Sequence, residues 1–543
     1  MRPSQPWETT SASIPWEEDR AAFRVAPLLA DGLLVVLGAA LYSAAIPPLG
    51  WSWAGWFALA PLIWVARRAH PKRAAAAGFA YGVLICLGVA WWLPFAMSAY
   101  FRLPLAVDLL LTFAAYGLYV GVYTALAAAG WSLIMRRGRC GLRWLAVPAI
   151  WVMAEFARST MFAGFSWEIL GYAAYRDLRL IQIADLTGVY GLSFLMALFA
   201  YAVTELIAAT ASRRSRGTRG IAPFAAPAAL LGAVTLGLCY GQFRLREYRR
   251  RSPGAPSLTI ALVKIVPIGA ERFEQVHYAS TMTRYARLTQ RALAPGQAQL
   301  VVWPEFALGF YIDREIALRA QLGQLARALN SALLIGAPRF EMLDGAIRYY
   351  NSAYLFSAQG ALEGSYDKIR LLPFAEYQPS ILPKFTHLAS GTPNEFTAGR
   401  SSTVFMLPKG ALGVLICYEA TYPSLARRLA AGGAQLLVNI SNDAWLTRMG
   451  GAAALQHLSM AVFRAVENRR ALALNSTAGV SGFIDPAGGL HQLSTRLEGM
   501  TVANVPLCRD LTFYTQWGDW FAWACIAAAL TALATVKHES TAP

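Results

Sequence analysis

Eight apolar stretches, at residues 26–46, 51–66, 74–97, 104–135, 142–156, 191–209, 222–242 and 520–536, recur along this chain at lengths suited to crossing a bilayer. A hydrocarbon core about 30 Å thick takes roughly 20 helical residues, and it offers no water to an unpaired backbone group. Each stretch is therefore predicted to be a helix, and the chain a polytopic α-helical membrane protein. Composition agrees: 56% of the residues are hydrophobic and only 15% charged, and the mean hydropathy is +0.40. A well-solvated globule carries far more charge. The 17 Trp and 23 Tyr residues suit the two headgroup layers.

Basic residues between the stretches set the orientation, because Lys and Arg in short loops are retained in the cytoplasm. Arg67, Arg68, Lys72 and Arg73 follow the second stretch, Arg136, Arg137, Arg139 and Arg143 the fourth, and Arg213, Arg214, Arg216 and Arg219 the sixth. These loops then share one side with both termini. Residues 243–515 face outward, which in a bacterium is the periplasm beyond the inner membrane. The run Arg244, Arg246, Arg249, Arg250, Arg251 pulls the other way. Long domains, however, translocate largely regardless of charge, and an outward basic collar suits anionic headgroups. Topology thus accounts for the net charge of +17 without a nucleic-acid partner. Residues 1–25 lack the basic start and cleavage site of a secretory signal and are expected to form a cytoplasmic tail. The expected division is a seven-helix region at 26–242, an outward domain at 243–515, a last helix at 516–536 and a short tail at 537–543.

From Pro256 the pattern changes to short apolar runs alternating with amphipathic stretches, the signature of an α/β domain. About 250 residues of this pattern make one large domain. Six cysteines are too few and too scattered for a disulfide framework or a metal cluster. Cys417 and Cys508 both fall in the outward domain, where an oxidising compartment permits them to pair. Among the helices, Glu155 is a carboxylate in apolar surroundings, either paired with Arg158 or touching substrate. The connection after it, with Gly164, Phe165, Ser166 and Trp167, reads as a partly re-entrant outward loop whose aromatics serve equally well as interfacial anchors.

Three groups in the outward domain sit where chemistry collects, at the ends of strands. Glu305 follows LVVW and a proline; Lys368 precedes the loop LLPFAEYQP, which carries Glu376; Cys417 ends the run LGVLI. Each has a plain alternative, since charges are mostly solvated and a lone cysteine is most often a packed core residue. Together they are the minimum set for thiol acyl transfer without histidine. A carboxylate takes the thiol proton, the thiolate attacks an acyl carbon, and an ammonium stabilises the oxyanion and favours the thiolate. His277, His387, His457 and His491 lie at no comparable strand end.

The motifs VVWPE (301–305), YDK (366–368) ahead of LLPFAEYQP (371–379), and LICYE (415–419) resemble, in this order, those of the carbon-nitrogen hydrolase or nitrilase superfamily. With seven helices before the domain and one after, the chain is most similar to the bacterial apolipoprotein N-acyltransferase family. The resemblance implies an αββα sandwich with Glu305 as general base, Lys368 as oxyanion stabiliser and Cys417 as nucleophile, supported by Glu376, Tyr418 and Glu419. Trp445, in NISNDAW, is implied to contact the acyl donor; Phe273, Tyr377, Trp167 and Glu155 are further substrate-contact candidates. The implied reaction is ping-pong, without cofactor or metal. Cys417 takes an acyl chain from a phospholipid and passes it to the α-amine of a diacylglyceryl-cysteine on an apolipoprotein, the protein acting as a monomer.

Departures from the family pattern include Ser166 for proline, Ala375 for glycine, Leu446 with Thr447 for phenylalanine and glycine, and Lys264 with Ile265 for a polar pair. Two other readings stay open: a membrane-anchored amidase, in which water takes the acyl group, and an inactive scaffold. The loop at 372–390, rich in proline and aromatics, is expected to gate entry.

Overall fold

The computed structural model describes residues 16–101, 104–137, 142–162, 164–216, 225–265, 278–373, 375–377, 396–444 and 451–539. The apolar stretches are helical, and proline marks several of their breaks. Helix α1 (Trp16–Ala45) ends before Pro47 and Pro48, and the second stretch splits into α2 (Ser52–Phe57) and α3 (Ala60–Arg68), with Pro61 in the first turn of α3. Proline fits a first turn, where its missing N–H leaves no bond unmade. The third stretch divides into α4 (Pro71–Val89) and α5 (Leu93–Phe101), while the fourth runs from α6 (Leu105–Thr112) through a π-helical turn at Phe113–Gly117 into α7 (Leu118–Arg137). Then come α8 (Arg143–Thr160), the short α9 (Ala184–Thr187), α10 (Tyr190–Arg216) and α11 (Ala225–Arg251).

Among the described residues, five helices are long and apolar enough to cross a bilayer: Leu28–Ala45, Pro71–Val89, Leu118–Arg136, Tyr190–Thr210 and Ala225–Gly254. The expectation of eight differs in the second stretch, which breaks, and in α8, which buries Glu155 and Arg158. The last apolar helix, Trp520–Thr535, is shorter. Leu33, Leu110, Leu126, Leu231, Leu236 and Leu530 lie outward and more than half exposed, as a lipid-facing surface requires.

The α/β part begins with β1 (Ser257–Lys264), α12 (Tyr278–Ala292), β2 (Leu300–Val302), α13 (Ile316–Leu329), β3 (Ala332–Leu343), β4 (Ala346–Phe356) and β5 (Leu362–Asp367). It continues with β6 (Val404–Leu407), β7 (Gly410–Ile416), α14 (Pro423–Ala431), β8 (Leu436–Ser441), α15 (Ala452–Asn468), β9 (Ala471–Ser476), β10 (Ser481–Ile484), β11 (Leu490–Ser494) and β12 (Gly499–Pro506). The short α16 (Phe513–Trp517) leads into α17 (Trp520–Glu539).

Two six-stranded sheets form, with orders β12-β1-β2-β3-β4-β5 and β11-β10-β9-β8-β7-β6. Each has three parallel strands at its centre and antiparallel strands outside them. Strand periodicity makes the sandwich. Leu258, Ile260 and Leu262 of β1 meet Leu412, Val414 and Ile416 of β7 and Leu436 and Val438 of β8 in one core between the sheets. The intervening Ala261 and Val263 turn outward into a second cluster with Leu322, Leu325 and Ala326 of α13. On the other side, Leu415 and Leu437 turn toward α14 and α15. The layers are therefore helix, sheet, sheet, helix, the αββα order that the resemblance implies.

The layer of α14 and α15 has a second neighbour. Its apolar residues belong to the same continuous cluster as Tyr42, Trp151, Trp167 and Tyr190 of the helical region. Buried charges fix this seam: Arg469 reaches Asp185 at 2.6 Å, and Glu467 accepts the Val189 N–H at 3.1 Å while pairing with Arg464 at 2.7 Å.

Candidate active site

Glu305 emerges from β2 across the backbone of β3. The approach is close enough that a Cβ on Gly336 would lie 2.4 Å from the Pro304 carbonyl oxygen and 2.6 Å from Glu305 Cα. Only glycine leaves that room. Glu305 is buried. Its Oε1 accepts from Asn351 Nδ2 at 2.7 Å and from Lys368 Nζ at 3.3 Å, and its Oε2 accepts from the Asn442 N–H at 2.7 Å.

Lys368 follows β5, its own N–H bonded to the Asn351 carbonyl at 2.8 Å. Its ammonium also lies 2.9 Å from the Glu376 carboxylate. Glu376 accepts in turn from Asn351 Nδ2 at 2.7 Å and from the Leu372 N–H at 2.7 Å. Two carboxylates thus share one ammonium and one amide. Burial opposes the charge on Lys368, but Glu305, Glu376 and Cys417 hold its ammonium well above the ordinary lysine range. Burial pushes the Glu305 carboxyl upward, with Lys368 opposing and Glu376 adding to the shift.

Cys417 stands at the sharp turn between β7 and a 3₁₀ turn at Cys417–Thr421, with φ of 53°. A non-glycine residue in that region stores strain and stands out of the strand line. Asn439 Nδ2 holds its carbonyl at 3.1 Å, and the Ser441 hydroxyl lies 3.4 Å from Sγ. Burial pushes the thiol well above its ordinary range and Glu305 adds to this, with Lys368 opposing. The neighbouring cation therefore does not by itself make a resting thiolate, because burial outweighs it. Cys417 and Cys508 are both free, so no disulfide joins them.

Glu419 explains how the lysine and cysteine segments are held together. Fully buried, it accepts the Tyr366 hydroxyl at 2.8 Å, the Ile369 and Arg370 N–H groups at 2.7 and 3.1 Å, and the Ile416 N–H at 2.8 Å. One carboxylate thereby fastens the chain on both sides of Lys368 to the residue before Cys417. Burial raises its carboxyl above the usual range, and the bonds from Ile416 and Arg370 oppose that.

The helical region supplies one wall. Trp167 stacks on Tyr418, ring centres 6.5 Å apart, and on His457 at 6.4 Å. Gln456 is a knot: its Oε1 accepts from the indoles of Trp167 at 2.8 Å and Trp92 at 3.2 Å, and its Nε2 donates to the carbonyls of Pro47 at 2.8 Å and Val89 at 2.9 Å. Glu155 does not pair directly with Arg158. Its Oε1 accepts the Leu170 N–H at 2.8 Å, and Arg158 donates to the Trp167 and Glu168 carbonyls at 2.7 and 3.1 Å. Both build the loop that carries Trp167, because a buried backbone turn needs donors and acceptors from somewhere.

The structure thus brings together Glu305, Lys368, Glu376, Cys417, Tyr418, Glu419 and Trp167. Tyr377 lies half-buried at the margin, and Glu155 acts one layer away. Trp445, Phe273 and most of the expected gating loop at 372–390 lie outside the described residues. Asn351 carries no mark in the sequence; Ser441 enters the sequence reading only as part of NISNDAW, and His457 only as a histidine at no strand end. His457 lies close to Cys417, and burial pushes its imidazole below the ordinary range, toward the neutral form.

A strand-end thiol, a carboxylate and an ammonium meet in a two-sheet sandwich with apolar helices as one wall, an arrangement suited to acyl transfer beside a membrane. Family models agree. The Apolipoprotein N-acyltransferase N-terminal domain matches residues 38–202, and Carbon-nitrogen hydrolase matches residues 259–510. An apolipoprotein N-acyltransferase of Geobacter metallireducens is 36% identical over 520 residues, covering 94% of this chain and 96% of the relative. One from Azotobacter vinelandii is 32% identical over 463 residues, covering 84% and 85%. Among solved structures, Saccharomyces cerevisiae Nit3 is 23% identical over 46% of this chain and 90% of its own, with a TM-score of 0.36. The chain belongs to the apolipoprotein N-acyltransferase family, bacterial membrane acyltransferases built on the carbon-nitrogen hydrolase fold.

Proposed function

We propose that this protein moves an acyl chain from a phospholipid to Cys417 and from there to the α-amine of the diacylglyceryl-cysteine of apolipoproteins. Glu305 takes the thiol proton as Sγ attacks the ester carbon, and Lys368 stabilises the oxyanion. The tetrahedral intermediate collapses, the ester C–O bond breaks, and the proton on Glu305 passes to the leaving lysophospholipid oxygen. In the second half the amine attacks the thioester, Glu305 takes its proton, and the C–S bond breaks. Glu376 shares the charge of Lys368, and Glu419 positions both segments.

One observation carries this reading. Lys368 Nζ lies 3.3 Å from Glu305 Oε1, while consecutive residues at the end of β8 reach Glu305 Oε2 through Asn442 N–H at 2.7 Å and Cys417 Sγ through Ser441 Oγ at 3.4 Å. The stacking of Trp167 on Tyr418 supports lipid substrates, because the wall beside the nucleophile comes from the helices. We place the helices of residues 26–242 and 516–536 in the inner membrane, with 243–515 in the periplasm and the chain a monomer. Arg67, Arg68 and Arg73, which pair with Glu205 and Asp31 at one end of the bundle, support that orientation.

Purified protein incubated with phospholipid should gain one acyl mass on Cys417, and Cys417→Ala and Glu305→Ala should not. Addition of a diacylglyceryl-cysteine peptide should then discharge it. Discharge by water alone, without acylated peptide, would favour an amidase; an unmodified wild type would refute the proposal.

A further inference from the structure

The hydroxyl of Ser441 stands between two acceptors. Its Oγ is 3.4 Å from Cys417 Sγ and 2.7 Å from Asp443 Oδ1. A serine carries one hydroxyl proton and two lone pairs, so it can donate to only one of these at a time. The other oxygen of Asp443 is engaged, accepting from Ser476 Oγ at 2.7 Å, and Ser476 Oγ is in turn fixed by the Gly479 N–H at 3.0 Å. Lys264 is buried beside this group, its Nζ donating to the Gly479 and Ser494 carbonyls at 3.1 and 3.2 Å. Ser441, Asp443 and Ser476 are all buried. Water is therefore a poor substitute for any member of the row.

We propose that Ser441 is a positioning residue for the nucleophile, switching its single proton between Asp443 and Cys417 Sγ as the thiol ionises. This rests on Cys417 being the nucleophile. In the resting thiol, S–H donates to Ser441 Oγ while Ser441 O–H donates to Asp443. When Glu305 takes the thiol proton, the Ser441 hydroxyl turns to donate to the thiolate, and Asp443 keeps its bond from Ser476. When the amine displaces the thioester, the departing thiolate receives the same hydroxyl bond before its proton returns. No atom leaves Ser441 at any stage; it supplies a hydrogen bond only to the charged form of sulfur.

The other charged groups that act on Cys417 are Glu305 after β2 and Lys368 after β5, with Glu376 behind Lys368; His457 on α15 is buried nearby and feels the charge of Asp443. None of them reaches Asp443 by a described hydrogen bond. Asp443 adds negative charge near the sulfur and disfavours the thiolate. Replacing Ser441 and neutralising Asp443 should therefore act in opposite directions, a pattern that general damage to the fold would not produce.

The test uses the full chain in detergent or nanodiscs, with the alkylation rate of Cys417 by chloroacetamide followed peptide by peptide across a range of pH. Ser441→Ala should slow alkylation about tenfold at each pH, equivalent to a rise of about one pH unit in the thiol. Ser441→Thr should restore the rate. Asp443→Asn should speed alkylation severalfold, because the charge is gone and an amide N–H directs the Ser441 proton toward sulfur. Equal rates for Ser441→Ala and wild type, or slowing by Asp443→Asn, would overturn the proposal. Acylation by phospholipid, measured on the same samples, separates the two readings. A wild type that alkylates but never acylates refutes the acyltransferase reading, while the alkylation series still decides the role of Ser441.

Discussion

Asn351 bridges the two acids of the site, and its loss should displace the pH dependence of the reaction in a direction that can be worked out beforehand. Its Nδ2 donates to Glu305 Oε1 and to Glu376 Oε1, each at 2.7 Å. Hydrogen bonds to charged acceptors contribute about 1.5–3 kcal/mol apiece, so Asn351→Ala removes about 3–6 kcal/mol of gross interaction. Neither carboxylate is orphaned. Glu305 keeps Lys368 and the Asn442 N–H, and Glu376 keeps Lys368 and the Leu372 N–H. The lower figure, about 3 kcal/mol, is therefore expected. About half falls on Glu305, and 1.36 kcal/mol equals one pH unit. Glu305 must be ionised to take a proton, and burial already lifts its carboxyl above the ordinary range. Removing a donor to the ionised form lifts it further, so the acid limb of the rate profile should move up by about one pH unit. Asn351→Asp should move it at least as far, since a third carboxyl offers one proton at most and a like charge when ionised. The assay is the initial rate of transfer from phospholipid to a diacylglyceryl-cysteine peptide, taken across pH on purified protein. An acid limb that stays in place or moves down, with the variant still folded, would refute the assignment of Glu305 as base.

Three further outcomes follow from the geometry. Gly336→Ala would set a methyl 2.4 Å from the Pro304 oxygen and 2.6 Å from Glu305 Cα; displacing the base should lower turnover by more than tenfold in a chain that still folds by circular dichroism. Glu419→Gln turns an amide N–H toward one of the N–H groups of Ile369, Arg370 or Ile416. A loss of about 2–4 kcal/mol, read as an earlier denaturant midpoint, and slower Cys417 acylation are expected. Arg464→Met strands Glu467, fully buried and paired at 2.7 Å, and should destabilise by about 3–5 kcal/mol; Arg464→Met with Glu467→Leu should recover most of it, and no recovery would count against the pairing argument.

Glu305, Lys368 and Cys417 were legible in the sequence because each interrupts or ends an apolar run, where an ionisable group or thiol is conspicuous. Asn351 was not: it lies within β4, opposite Pro338 in the β3 register, and an amide in YYNSAYLF looks like any inward polar residue until its partners arrive from β2 and the loop after β5. Ser441 has the same difficulty, since its meaning depends on a cysteine 24 residues earlier. His457 lies within α15, which carries no mark in the sequence of facing Cys417. The apolar stretches announced the helices but not their breaks, because hydropathy is the same whether the backbone continues or turns at Pro61. The Glu155 and Arg158 pair suggested by sequence spacing gave way to backbone partners, since a buried turn at residues 167–170 had more need of them.

The Gln456 knot has a consequence for the order of biogenesis. Its four bonds join residues separated by 289, 364, 367 and 409 positions. All the partners of Gln456 emerge from the ribosome long before Gln456 does. The segments that carry Pro47, Val89, Trp92 and Trp167 must consequently be in place before α15 can seat on them, and the wall beside Cys417 closes only then. A half-made or wrongly inserted chain has its thiol but not the surface that Trp167 lays against Tyr418. Such a chain would be a silent one, unable to spend membrane lipid before its own assembly is finished.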